Sequence, residues 1–188
     1  MSIDPEIRSI VIKTGYVTVL IIIVFGVLGY LLKPELESAG TWVVSTFGIW
    51  GIAIGCLMTD LFTLPIPPDA YLLAGVAAHT EPWIVITAAS AGSMVGGMGS
   101  YFIGRYFGNR SFAERIVAPF RAKGTDYINK FGTGAVILAA LTPLPFSILC
   151  ILSGMMGMSF SRLLFASTFR LPRMAMFFLL IEFGFNVT

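Results

Sequence analysis

The sequence predicts an all-α integral membrane protein, built from three full transmembrane spans, two opposed re-entrant helical hairpins forming an inverted repeat, and a cytoplasmic amphipathic segment. Three observations predict it. Of 188 residues, 56% are hydrophobic and only 12% charged, with a mean hydropathy of +0.87, whereas a soluble domain carries roughly 25% charged residues. The apolar runs are broken twice by closely spaced prolines, at Leu64-Pro65-Ile66-Pro67-Pro68-Asp69 and at Thr142-Pro143-Leu144-Pro145. The basic residues gather in one internal segment, between Arg105 and Lys130.

Each element follows from the order of these runs. Thr14 to Leu32 is apolar and long enough to cross about 30 Å as a helix, so 14–32 is the first span. The Lys33-Pro34-Glu35-Leu36-Glu37 segment after it has no small-residue cleavage site, so the span is expected to be retained, with 33–41 as a short external loop. Residues 42–79 form the first hairpin. Proline lacks an N–H and clashes with the carbonyl four residues back, so the chain breaks at Pro65–Pro68, and the apolar stretch from Asp69 to Ala78 is too short to cross alone. Irregular backbone in lipid survives only where protein covers it or where it lines a wet cavity, as a re-entrant tip does.

Pro82-Trp83 opens the next span, 82–105, with Trp83 at the interface. Within it Ala88, Gly92, Gly96, Ser100 and Gly104 recur every fourth residue. Such a stripe lets another backbone approach closely, so helix packing is the plain reading and a substrate groove the sharper one. Residues 106–130 carry Arg110, Arg115, Arg121, Lys123 and Lys130, and predict amphipathic helices on the membrane surface broken near Pro119 and Gly124. Residues 131–158 repeat the hairpin, and 159–184 form the last span, with Arg170, Pro172 and Arg173 midway along it.

Basic loops face the cytoplasm. Placing the central segment there puts Arg8, Lys13, Arg105, Arg110, Arg115, Arg121, Lys123, Lys130 and Arg162 inside and Lys33 outside. The N-terminus is then cytoplasmic and the C-terminus external. The two proline tips approach from opposite faces, as in transporters built from inverted repeats. Pro65-x-Pro67 followed by Ala74-Gly75, echoed by Pro143-x-Pro145 followed by Ser153-Gly154, supports a duplication.

The same composition narrows the chemistry. A net charge of +2 gives no footprint for nucleic acid, and 188 residues leave no room for a separate soluble domain. Cys56 and Cys150 lie in apolar runs and the single histidine, His79, has no partner at ligand spacing, so neither metal nor cofactor is expected. With no D-x-D, paired histidines or Cys/His set, the chain is not expected to be an enzyme.

Asp60, Asp69, Arg170 and Arg173 are ionisable groups within apolar segments, where an unpaired charge is costly and function is the default explanation. The structural alternative is two ion pairs that hold the bundle. The functional reading gives Arg170 and Arg173, three apart on one helix, to a phosphate, because guanidinium matches phosphate oxygens in a fork. Asp69, at the start of a returning half-helix, holds the arginines when the site is empty. Protonation of Asp69 or Asp60 would release them and couple transport to protons. Thr142 and Ser147 are expected to donate hydroxyls to the same phosphate. Arg105 is expected to anchor headgroups or the end of a half-helix.

In order and spacing these residues resemble the DedA family, also called the SNARE-associated or VTT-domain family. Pro65-Ile66-Pro67-Pro68-Asp69 is similar to its P-x-P-x-acidic hairpin, and Tyr101-Phe102-Ile103-Gly104-Arg105-Tyr106-Phe107-Gly108 to its Y-x-x-G-R-x-x-G segment. Leu141-Thr142-Pro143-Leu144-Pro145-Phe146, Ser153-Gly154 and Phe169-Arg170-Leu171-Pro172-Arg173 resemble the subgroup with a T-P-x-P second tip. Many relatives carry Arg or Lys where this chain has Ser147. The resemblance implies flipping or scrambling of an anionic lipid, a polyprenyl phosphate or a phospholipid, often with dependence on the proton gradient. It implies a bacterial or archaeal cell membrane as the location. The expected partners are the membrane and that lipid, and the chain is compatible with a homo-oligomer. A membrane-organising protein that thins the bilayer and gathers anionic lipid is the non-transport alternative.

Overall fold

The prolines and glycines that punctuate the apolar runs divide the chain into eight helices among the described residues. In this computed structural model those are residues 33–64, 68–108, 117–142 and 144–187, with positions 16, 20 and 115. The expected span 14–32, apart from Tyr16 and Leu20, lies outside them, as do Pro65, Ile66, Pro67 and Pro143 at the hairpin tips. The helices are α1 (Lys33–Phe62), α2 (Asp69–Ala77), α3 (Pro82–Phe107), α4 (Arg121–Phe131), α5 (Thr133–Leu141), α6 (Phe146–Met155), α7 (Phe160–Ser167) and α8 (Arg170–Val187). The described residues contain no strand.

Several boundaries differ from the sequence reading. The external loop expected at 33–41 is helical, because Pro34 falls in the first turn of α1, where its missing N–H leaves no bond unmade. The helix is instead broken at Gly48, whose φ of 60° and ψ of −157° suit glycine and almost nothing else. Gly124 does not break the amphipathic segment. It is buried inside α4, where an added Cβ would press on the Leu152 side chain, and the break sits in the turn at residues 118–120. The last span is divided into α7 and α8 by a turn at Thr168-Phe169. Among the described residues two stretches are long and apolar enough to cross a membrane, the 19 residues Val44–Phe62 and the 25 residues Phe160–Gly184. At 26 residues α3 has the length, but its Ser, Gly and Thr positions dilute its hydropathy.

The helices that follow the two proline breaks, α2 and α6, end alike. The Thr80 N–H donates to the Gly75 carbonyl at 3.1 Å after His79 takes a φ of 51°, and the Met158 N–H donates to the Ser153 carbonyl at 2.9 Å after Gly157 takes 72°. Both are left-handed closures that satisfy carbonyls at a helix end.

Packing turns on α3, which lies between α1 and α6. An added Cβ at Gly92 or Gly96 would meet the carbonyls of Ala53 and Leu57 in α1, and one at Gly104 would meet the carbonyl of Ile151 in α6. Gly154 of α6 answers from the other side, against the Tyr101 carbonyl and, at 2.8 Å, the Arg105 nitrogen. Most of the small-residue stripe is therefore a packing seam. Two apolar clusters result. One joins α1, α2, the start of α3 and α8 through Ile52, Leu72, Val85 and Phe178. The other joins the end of α3 to α4, α5, α6 and α7 through Tyr101, Ile128, Val136, Leu152 and Leu163. The first contains α2 and the second α6.

Candidate functional site

The buried charges gather where the two clusters meet. Asp60 lies near the end of α1, Asp69 is the first residue of α2, and Arg170 and Arg173 occupy the first turn of α8. All four are at most 4% exposed. The Arg170 Nη2 donates to both oxygens of Asp60, at 2.9 and 2.8 Å. The Arg173 Nη2 donates to Asp69 Oδ2 at 2.8 Å. Each guanidinium also rests over an aromatic ring, Arg170 at 4.1 Å from the Phe146 centroid and Arg173 at 4.9 Å from that of Phe177. The planar face of an arginine and the negative face of a ring attract each other, which holds both cations in place without using their edges.

Two hydroxyls complete the surroundings of Asp60. Ser147 Oγ donates to Oδ1 at 2.9 Å, and Ser93 Oγ donates to Oδ2. Asp60 thus receives donors from α3, α6 and α8, which ties the middle of α3 and the starts of α6 and α8 to the end of α1. Ser100 Oγ further donates to the Asp60 carbonyl at 2.6 Å.

The two pairs are not fully satisfied. Asp69 Oδ1 and the Nε atoms of Arg170 and Arg173 are buried without a hydrogen-bond partner. An unmade bond to a buried charged group is costly, and native proteins leave few of them. The cluster therefore combines zero net formal charge with two N–H donors and one carboxylate oxygen open to a polar occupant.

The sequence reading placed more residues here than the structure brings together. Asp60, Asp69, Ser147, Arg170 and Arg173 meet as described. Thr142 turns back into its own helix, its Oγ1 donating to the Leu138 carbonyl at 2.5 Å. Its place at the end of α5 explains this, since unpaired carbonyls of the last turn are the nearest acceptors. Arg105 is exposed and stands away from the four charges: its Nη1 donates to the Tyr101 hydroxyl at 2.8 Å and, more loosely, to the Met158 carbonyl at 3.4 Å. It lies against the turn that ends α6. Ser93, Phe146 and Phe177 were not singled out in the sequence. Ser93 is hidden among the small residues of α3, although its offset of one position from Gly92 puts it on the adjoining face.

Among the described residues no group of three or more His, Cys, Asp or Glu side chains can hold a metal ion. Residues 66–183, well over half of the chain, match the model of the VTT domain. The chain belongs to the VTT domain (DedA) family. A protein of Methanocaldococcus jannaschii described as uncharacterised is 25% identical over 66% of this chain and 77% of its own length. The Escherichia coli inner membrane protein YqaA is 27% identical over 51% of this chain, and the match spans 61% of YqaA. An uncharacterised protein of Haemophilus influenzae is 26% identical over 75% of this chain and 74% of its own length. No solved structure matches. The matched VTT region contains Asp69, Ser93, Ser147, Arg170 and Arg173, while Asp60 lies just before it. Family membership, an inner membrane relative and two membrane-capable apolar stretches among the described residues are consistent with a membrane location.

Proposed function

We propose that this VTT domain protein carries an anionic lipid, a polyprenyl phosphate or a phospholipid, across the bilayer by flipping or scrambling. One observation supports the reading above the others. Two buried ion pairs keep unpaired guanidinium N–H donors at the seam between two helical clusters. A phosphate entering the seam would take over Arg170 and Arg173, and Asp60 would keep its Ser93 and Ser147 donors while they were engaged. In this reading 42–79 and 131–158 act as opposed re-entrant hairpins, 14–32, 82–105 and 159–184 as spans, and the basic central segment faces the cytoplasm. The chain acts without bond-making chemistry, as a carrier and not as an enzyme. Protons enter through the carboxylates, whose protonation frees the arginines.

The test uses purified protein in liposomes, with a headgroup-labelled polyprenyl phosphate and a labelled phospholipid as cargo. Arg170→Gln, expressed and folded, abolishes translocation. The exchanged pair, Asp60→Arg with Arg170→Asp, should fold and still carry no lipid. Unchanged flux in Arg170→Gln, or full flux in the exchanged pair, removes the arginine from a carrier site and leaves two structural ion pairs.

A further inference from the structure

A second polar site lies at the opposite end of α6 from the charge cluster. A cavity of about 420 Å³ opens between the start of α5, the turn after α6 and the start of α7. Three side chains from two separate stretches of chain line it with hydrogen-bonding groups: Thr133, Ser159 and Arg162. Among the described residues none of the three side chains has a hydrogen-bond or ion-pair partner. Among the described residues the rest of the lining is apolar or glycine, including Ile128, Met156 and Met158, and contains no acidic residue. Ser159 is the N-cap of α7, yet its hydroxyl makes no capping bond, so it stays available to a ligand. The ten residues of α6 set the cavity about 15 Å from Ser147 and the buried pairs.

We propose that this cavity binds a phosphate group, with Arg162 as the cation and Thr133 and Ser159 as hydroxyl donors. A guanidinium without a carboxylate beside it binds a phosphate as its natural counter-ion, through charge-assisted bonds. Ile128, Met156 and Met158 offer apolar contact for the glycerol and upper acyl region of a lipid, whereas free phosphate would use the polar wall alone. The site is independent of the carrier reading and requires only that the chain sit in a bilayer.

Photolabelling of the full chain in phosphatidylcholine nanodiscs tests it. A phosphatidic acid analogue with a diazirine near its glycerol should label the peptide containing residues 156–162, and a phosphatidylcholine analogue should not. Arg162→Gln should cut that labelling about tenfold or more, the loss expected for a charge-assisted bond. Arg162 is exposed, so the variant should keep the wild-type unfolding temperature, and Ser159→Ala should give a smaller loss. Competition by inorganic phosphate at concentrations near those of the lipid would assign the site to phosphate itself, and its failure to compete would assign it to lipid-borne phosphate. Equal labelling by phosphatidylcholine, or undiminished labelling in Arg162→Gln, overturns the proposal. Labelling near residues 170–173 reports separately on the central cluster, so the two readings fail independently.

Discussion

His79 and Thr63 each take a positive φ without being glycine, 51° and 53°. A left-handed conformation costs an L-residue about 1–2 kcal/mol, and a β-branched residue such as Thr63 pays more than most. At His79 the cost belongs to the closure of α2, since the side chain is exposed and only the backbone turn requires it. Gly157 performs the same closure of α6 without penalty. His79→Gly should therefore raise stability by about 1 kcal/mol and the unfolding temperature by a few degrees, measured by thermal unfolding in detergent. No change, or a fall, would mean that the imidazole contributes something besides the turn. Thr63 is a different case. It directly follows α1, three residues after Asp60, with its hydroxyl buried and unpartnered, so strain is held beside the charge cluster and not at a distant surface.

The helices show what a sequence can and cannot reveal. The stripe on α3 was legible because small residues at every fourth position project from one face whatever surrounds them, and the carbonyls of Ala53, Leu57 and Ile151 lie against that face as expected. The break at Gly48 was not legible, since one glycine in a run of apolar residues looks like many others. Proline marked Pro172 for attention, but the turn it accompanies falls earlier, at Thr168-Phe169. Close approach makes a direct prediction. Gly154→Ala places a methyl on the Tyr101 carbonyl and should destabilise by about 1–3 kcal/mol, while Gly184→Ala, whose added Cβ meets nothing within 4 Å among the described residues, should be neutral or mildly stabilising. Equal unfolding temperatures for the two variants would show that α3 and α6 separate more easily than their backbone contact indicates.

At the scale of the molecule, four charges announced themselves because ions in apolar runs are rare, but which partner each would take depended on neighbours that only folding supplies. Asp69 was expected to serve both arginines, and it serves Arg173 alone, while Asp60, itself held by two serines, pairs with Arg170. This division of labour bears on proton coupling. In the proposed carrier, Asp69→Asn should leave flux measurable but remove its response to an imposed pH gradient, as followed in liposomes with and without that gradient. A variant that still responds would transfer the coupling role to Asp60. One further property of the pairs acts at long range. Two carboxylates and two guanidiniums sum to zero, so membrane voltage exerts no net pull on the unoccupied centre, whereas each elementary charge that crosses 100 mV exchanges about 2.3 kcal/mol with the field. In the proposed carrier only a loaded centre is then electrically visible, and the resting potential works on the passenger while leaving its empty seat alone.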